Sequence, residues 1–168
     1  MTTVTRTAWI YGMCAVLALT PLFVQAQDVG IAVGQRAPGA VVQTLSGQPV
    51  NLGSYVGKTP LLIEFWATWC PQCHALEPAL LAAHRKYGSK VRFIGLAVSI
   101  RQSPERIRAY AAKHGLEHEL LFDAEGNAAD VYDAPATSYV VVVNKAGTIV
   151  YTGVGGDQDL EAAIRKAF

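Results

Sequence analysis

Apolar positions along this chain follow two rhythms, and the change from one to the other falls at residue 70. Leu61 to Trp66 reads LLIEFW, a continuous apolar run broken only by Glu64, which suits a strand buried on both faces. From Pro71 to Tyr87 the spacing becomes helical, and after Ser89-Lys90 the run Val91 to Val98 returns to a buried-strand pattern. Upstream, Ala40 to Leu45 and Val50 to Leu52 flank Ser46-Gly47-Gln48-Pro49, the composition of a hairpin turn. Downstream, Ser103-Pro104-Glu105 reads as a helix start, with serine at the N-cap and proline in the first turn. Ile107, Tyr110 and Ala111 continue that helix and Gly115 closes it. A short strand is expected over Glu119 to Phe122, a short helix over Asn127 to Tyr132, and a buried strand over Tyr139 to Val143. The turn Asn144-Lys145-Ala146-Gly147 leads to an antiparallel partner over Thr148 to Thr152. Asp157 to Phe168 carries acidic residues early and Arg165 and Lys166 late, as a helix dipole favours. The alternation predicts an α/β domain with a central mixed sheet.

The first 26 residues are of different material. Arg6 is their sole charge, Ala8 to Val24 is largely apolar, and Val24-Gln25-Ala26 ends in small residues. This pattern predicts a secretory signal peptide cut after Ala26, the alternative being an uncleaved N-terminal anchor; the domain then spans residues 27–168. With 168 residues, 51% of them hydrophobic, the chain can build a full core. A formal charge of +1 and the lack of a basic run exclude a nucleic-acid footprint. Cys14 lies in the apolar leader, so cleavage leaves Cys70 and Cys73 as the two remaining thiols. In an oxidising compartment such a pair is catalytic or metal-binding.

Trp69-Cys70-Pro71-Gln72-Cys73 sits where the strand pattern gives way to the helix. Cys70 is expected at the helix N-terminus, where free backbone N–H groups and the macrodipole favour a thiolate. Cys73, one turn on, is placed to attack a mixed disulfide formed at Cys70. Glu64, in the middle of the apolar strand, should have its pKa raised by desolvation.

Phe65-Trp66-Ala67-Thr68-Trp69-Cys70-Pro71-Gln72-Cys73, with Pro78 five residues beyond, resembles the thioredoxin superfamily and its secreted or membrane-tethered TlpA/ResA-like branch. The lead-in Gly34-Gln35-Arg36-Ala37-Pro38 is similar to that branch as well. The resemblance implies a thioredoxin-like three-layer fold with an N-terminal hairpin and an inserted αβ unit. It implies a thiol–disulfide oxidoreductase of the periplasm, needing no cofactor or metal, that reduces disulfide-bearing protein substrates such as apocytochromes. A membrane electron donor of the DsbD/CcdA type would keep it reduced, and its one membrane contact would be an N-terminal tether. Cys70 and Cys73 would form the redox-active disulfide, with Cys70 as nucleophile. Glu64 would accept and return the proton of Cys73. Trp69, Pro71, Pro135 and Ser138 would face the substrate.

Two positions depart from the family pattern. The acid often found three residues after the second cysteine is Leu76 here, and Glu77 follows it, turned about 100° around the helix. The cis-proline before the penultimate strand falls, without gaps, on Ser138, with Pro135 three residues earlier. A non-proline cis bond costs about 2.5–4 kcal/mol, so Ser138 is expected in trans. Two rival functions use the same residues. One is an SCO-like copper-binding module. The other is c-type haem attachment at Cys70-Pro71-Gln72-Cys73-His74. A peroxiredoxin-type peroxidase is a weaker rival still, because that family's nucleophile follows a Thr-x-x-Cys pattern and position 67 is Ala.

Overall fold

The structure, a computed structural model, describes residues 30–168; the expected signal peptide and Cys14 lie outside them. The chain order is β1 (Val41–Thr44), β2 (Pro49–Asn51), β3 (Leu61–Trp66), α1 (Pro71–Tyr87) and β4 (Arg92–Val98). Then come α2 (Pro104–His114), β5 (Glu119–Asp123), α3 (Asn127–Val131), β6 (Tyr139–Val143), β7 (Ile149–Val154) and α4 (Leu160–Arg165). The seven strands form one sheet in the order β2-β1-β5-β4-β3-β6-β7. β4 runs parallel to β3 and β5, and the other neighbours are antiparallel. The expected mixed sheet with its N-terminal hairpin is therefore present.

β3 is central because every one of its side chains is buried. Its alternation divides the core in two. Leu61, Ile63 and Phe65 join Val141, Tyr132 and Tyr139 on one face, where Phe65 lies 5.6 Å from each tyrosine ring. Leu62 meets Leu76 and Leu80 of α1, Val140 and Val142 of β6, and Ile164 of α4 on the other. Trp66 extends this second face toward Cys70, Cys73 and Ile107. Glu64 points the same way as Leu62 and Trp66, so the carboxylate faces α1.

Local signals set the helix ends. Cys70 caps α1, its Sγ accepting from Cys73 N at 3.1 Å, and Pro71 opens the helix. Ser103 Oγ caps α2, and Gly115 ends it in the left-handed region at φ 68°. α4 is shorter than the expected Asp157 to Phe168, because Asp159 Oδ1 accepts from Ala162 N and starts the helix there. β7 begins and ends later than expected, its pairing with β6 carrying it to Val154 opposite Tyr139.

Gly95 lies beside Glu64 in the parallel register of β3 and β4. A Cβ there would stand 2.7 Å from Leu120 Cδ2, 2.9 Å from His118 Nε2 and 3.1 Å from Trp66 Nε1. Gly95→Ala is therefore expected to destabilise the fold by about 1–3 kcal/mol through overpacking. Urea unfolding monitored by circular dichroism checks this.

Candidate active site

Cys70 and Cys73 are joined as a disulfide with their Cα atoms 5.3 Å apart. Both are buried, Cys70 at 2% exposure and Cys73 at 5%. The loop that carries them is clamped from two sides. On one side, Trp69 Nε1 donates to Ile100 O at 2.7 Å and Thr68 N donates to Gln102 Oε1 at 2.8 Å. Gln102 is itself tied back to β4, its Nε2 donating to Val98 O at 2.6 Å. On the other side, Gly156 N donates to Gln72 Oε1 at 2.9 Å. A Cβ at Gly156 would come within 2.5 Å of Ala75 Cβ, so the close approach of this loop to α1 requires glycine.

Beneath the disulfide is a small cavity of about 10 Å³, room for one water molecule. Glu64, Trp66, Cys73, Glu77, Tyr110 and His118 are among the residues that line it. Among the described residues, Glu64 Oε1, Trp66 Nε1 and His118 Nδ1 are buried without a hydrogen-bond partner, and all three belong to this wall. Burial first, and the nearby charge of Glu77 second, push the Glu64 carboxyl up to about 8. Burial pushes the His118 imidazole down to about 4, and His84 adds to the effect. Both groups are held neutral where water would ionise them.

Glu77, set aside on its spacing from the family pattern, does reach this cavity. Its Oε2 accepts from Tyr110 Oη at 2.7 Å, and its Oε1 pairs with His114 Nδ1 at 2.9 Å. Tyr110 and His114 stack with ring centroids 3.8 Å apart, and His74 stacks on Tyr110 at 5.6 Å. Burial and the hydrogen bond to Glu77 raise the Tyr110 phenol well above its usual range. A signal for these residues existed in the sequence: Glu77 stands four residues after Cys73, and His114 four after Tyr110, each pair sharing a helix face.

Trp69, 43% exposed, borders a groove of about 520 Å³ with Ile100, Asp130, Pro135 and Thr137. Pro71 opens α1 and is exposed. Ser138 lies elsewhere in character. It is fully buried at φ 61°, its Oγ donating to Gly155 O at 3.0 Å. Its carbonyl accepts from Gly155 N and from Gln158 Nε2. Every peptide bond among the described residues is trans. His74 Nε2 hydrogen-bonds with Thr68 O at 3.0 Å. Among the described residues, no three His, Cys, Asp or Glu side chains are grouped to hold a metal ion.

The AhpC/TSA family model matches residues 33–152. The thioredoxin-like protein YneN of Bacillus subtilis is 32% identical over 130 residues, covering 77% of this chain and 75% of that protein. The thiol-disulfide oxidoreductase ResA of Geobacillus kaustophilus is 26% identical, covering 80% and 78%. Among solved structures, the thioredoxin domain of a thiol-disulfide oxidoreductase from Bacteroides vulgatus superposes with a TM-score of 0.69 at 20% identity. That match covers 82% of this chain and 99% of the other, and it shows the thioredoxin fold.

Because the folded state keeps Glu64 protonated while the unfolded chain ionises near 4.5, the unfolded state sheds its proton first as pH rises. Glu64 by itself lowers stability from about pH 4.5 to about pH 8, while the depressed His118 raises it between about pH 4 and pH 6.5. A net fall is therefore expected from about pH 6.5 to about pH 8, levelling off above. Glu64→Gln should abolish that slope and be more stable than the wild type at pH 8. Chemical denaturation at half-unit pH steps measures both curves.

Proposed function

The chain belongs to the AhpC/TSA family, and we propose that it is a thiol–disulfide oxidoreductase working as a reductase of protein disulfides. The observation that carries this reading is the Cys70–Cys73 disulfide at the start of α1, with the buried Glu64 carboxyl on the cavity beneath Cys73. Relatives that bear the name ResA thiol-disulfide oxidoreductase support it.

In the disulfide form seen here, the Cys70 sulfur lies at the helix N-terminus and receives the Cys73 N–H, and reduction leaves the sulfur at that helix end. Both features stabilise a thiolate. The Cys70 thiolate attacks one sulfur of a substrate disulfide and forms a mixed disulfide, releasing the first substrate thiolate. From its ionised form, which becomes populated toward pH 8, Glu64 then takes the proton of Cys73, and the Cys73 thiolate attacks Cys70 Sγ. The Cys70–Cys73 bond closes and the second substrate thiolate leaves with the bonding pair. A Glu64 carboxyl that loses its proton near pH 8 is close in basicity to a thiol, so transfer in either direction is nearly balanced. The groove between Trp69 and Pro135 receives the substrate chain, whereas Ser138, buried and bonded to Gly155 and Gln158, does not line it.

The leader of residues 1–26 exports the protein and is removed after Ala26, placing the domain in the periplasm or at the membrane face. Among the described residues no helix is long and apolar enough to cross a membrane. A membrane donor of the DsbD/CcdA type supplies electrons, and apocytochrome thiols are the substrate class.

The potential of the pair tests the direction of electron flow. Equilibration in thiol redox buffers, followed by tryptophan fluorescence, is expected to give about −250 mV or lower. A value near −120 mV would mark an oxidant and overturn the reductase reading. Cys70→Ser should abolish reduction of a model disulfide such as insulin. Cys73→Ser should instead trap the substrate on Cys70, visible by mass spectrometry.

A further inference from the structure

Trp69 and Ile100, 43% and 62% exposed, are large apolar side chains left open to water at the groove beside the disulfide. The hydrogen bond from Trp69 Nε1 to Ile100 O fastens them together, and Ala134 and Pro135 add further apolar lining. At about 520 Å³ the groove has the size of a pocket that encloses a whole ligand.

The charges on this lining are all of one sign. Asp123 and Asp130 belong to it, and no Lys, Arg or His does; Arg101, which follows Ile100, lies outside. Asp123 is buried and already engaged, its Oδ1 accepting from Ala128 N at 3.1 Å and its Oδ2 from Ala129 N at 2.8 Å. Asp130, further along α3, is exposed. Among the described residues its carboxylate has neither a hydrogen bond nor an ion pair. An apolar channel with one uncommitted anion on its wall suits a long cationic side chain. The aliphatic stem lies along the apolar surface, and the head group meets the carboxylate. An apolar residue in that place would cover Asp130 without pairing it, and an acidic one would be repelled.

We propose that Asp130 is a specificity-determining residue, and that the groove takes a substrate segment carrying a lysine or arginine close to its disulfide-bonded cysteine. This rests on the oxidoreductase reading above and deepens it. Trp69 joins the two places, because it precedes Cys70 in the chain and also lines the groove. A substrate whose cysteine meets Cys70 thereby lays its neighbouring residues along the groove. The apolar wall accepts many sequences, and the carboxylate selects among them.

The test uses the full chain in its reduced form and short synthetic peptides, each with one cysteine held as a disulfide with β-mercaptoethanol. A lysine, a glutamine or a glutamate is moved in turn through the positions flanking the cysteine. Each rate is divided by that of dithiothreitol on the same peptide, which removes the effect of a nearby charge on the leaving thiol. For the wild type, lysine at one flanking position is expected to exceed glutamine about fivefold, with glutamate below both. High salt should shrink that ratio. Asp130→Asn should bring the lysine and glutamine peptides level, and Asp130→Lys should put the glutamate peptide ahead. A merely structural role for Asp130 would not reverse the preference in this way. Equal wild-type rates for lysine and glutamine at every position, or a lysine preference that survives both substitutions, would overturn the proposal. A wild-type protein that reduces none of the peptides would instead overturn the function on which the proposal depends.

Discussion

A carboxyl group in the middle of a sheet, covered on both faces, is the constraint around which this molecule is built. Burying an ionised, unpaired carboxylate costs far more than one domain can spare, so the group must be neutral or find partners. The fold arranges the first condition. Glu64 stands in β3 beneath α1, beside a glycine that leaves room for His118 and Trp66 to close over it. The nearby Glu77 charge adds to burial in favouring the protonated form. The disulfide then sits at the end of this pocket where α1 begins.

The sulfurs are held by hydrogen bonds from parts of the chain that are remote in sequence. Gln102 and Ile100 fasten the Thr68–Trp69 side, and Gly156 fastens Gln72. Gln158 ties the same stretch to Ser138, bonding both its carbonyl and that of Gly155. Each bond satisfies a main-chain group near the site that would otherwise compete for water. The result is a buried cysteine pair next to Trp69, whose other side borders the groove shared with Pro135.

How much of this was readable beforehand follows from the range of the interactions. β3, α1 and β6 announce themselves through long apolar runs and a capped helix start, since their burial is written in their own residues. The Cys70–Cys73 pair and Glu64 were legible because thiols at a strand–helix junction and a charge inside an apolar strand break the local pattern. Glu77 was legible only as a neighbour of Cys73 on one helix face, because its partners depend on α2 packing against α1 and bringing Tyr110 and His114 to its two oxygens. His118 was missed for a like reason, being one unremarkable residue in a turn until Gly95 opens a place for it. The start of α4 was misplaced because Asp157 and Asp159 look equivalent in sequence, while the geometry of one cap decides between them.

Tyr110 and His114 stand on α2, and His118 follows within a few residues, whereas both sulfurs and Glu64 belong to β3 and the start of α1. The α2 stretch thus reaches the sulfur pair at one remove, through its hydrogen bonds to Glu77 on α1. A substitution at Tyr110 or His114 alters the partners of a half-buried carboxylate on the cavity wall while the sulfur pair and the strand beneath it stay as they are.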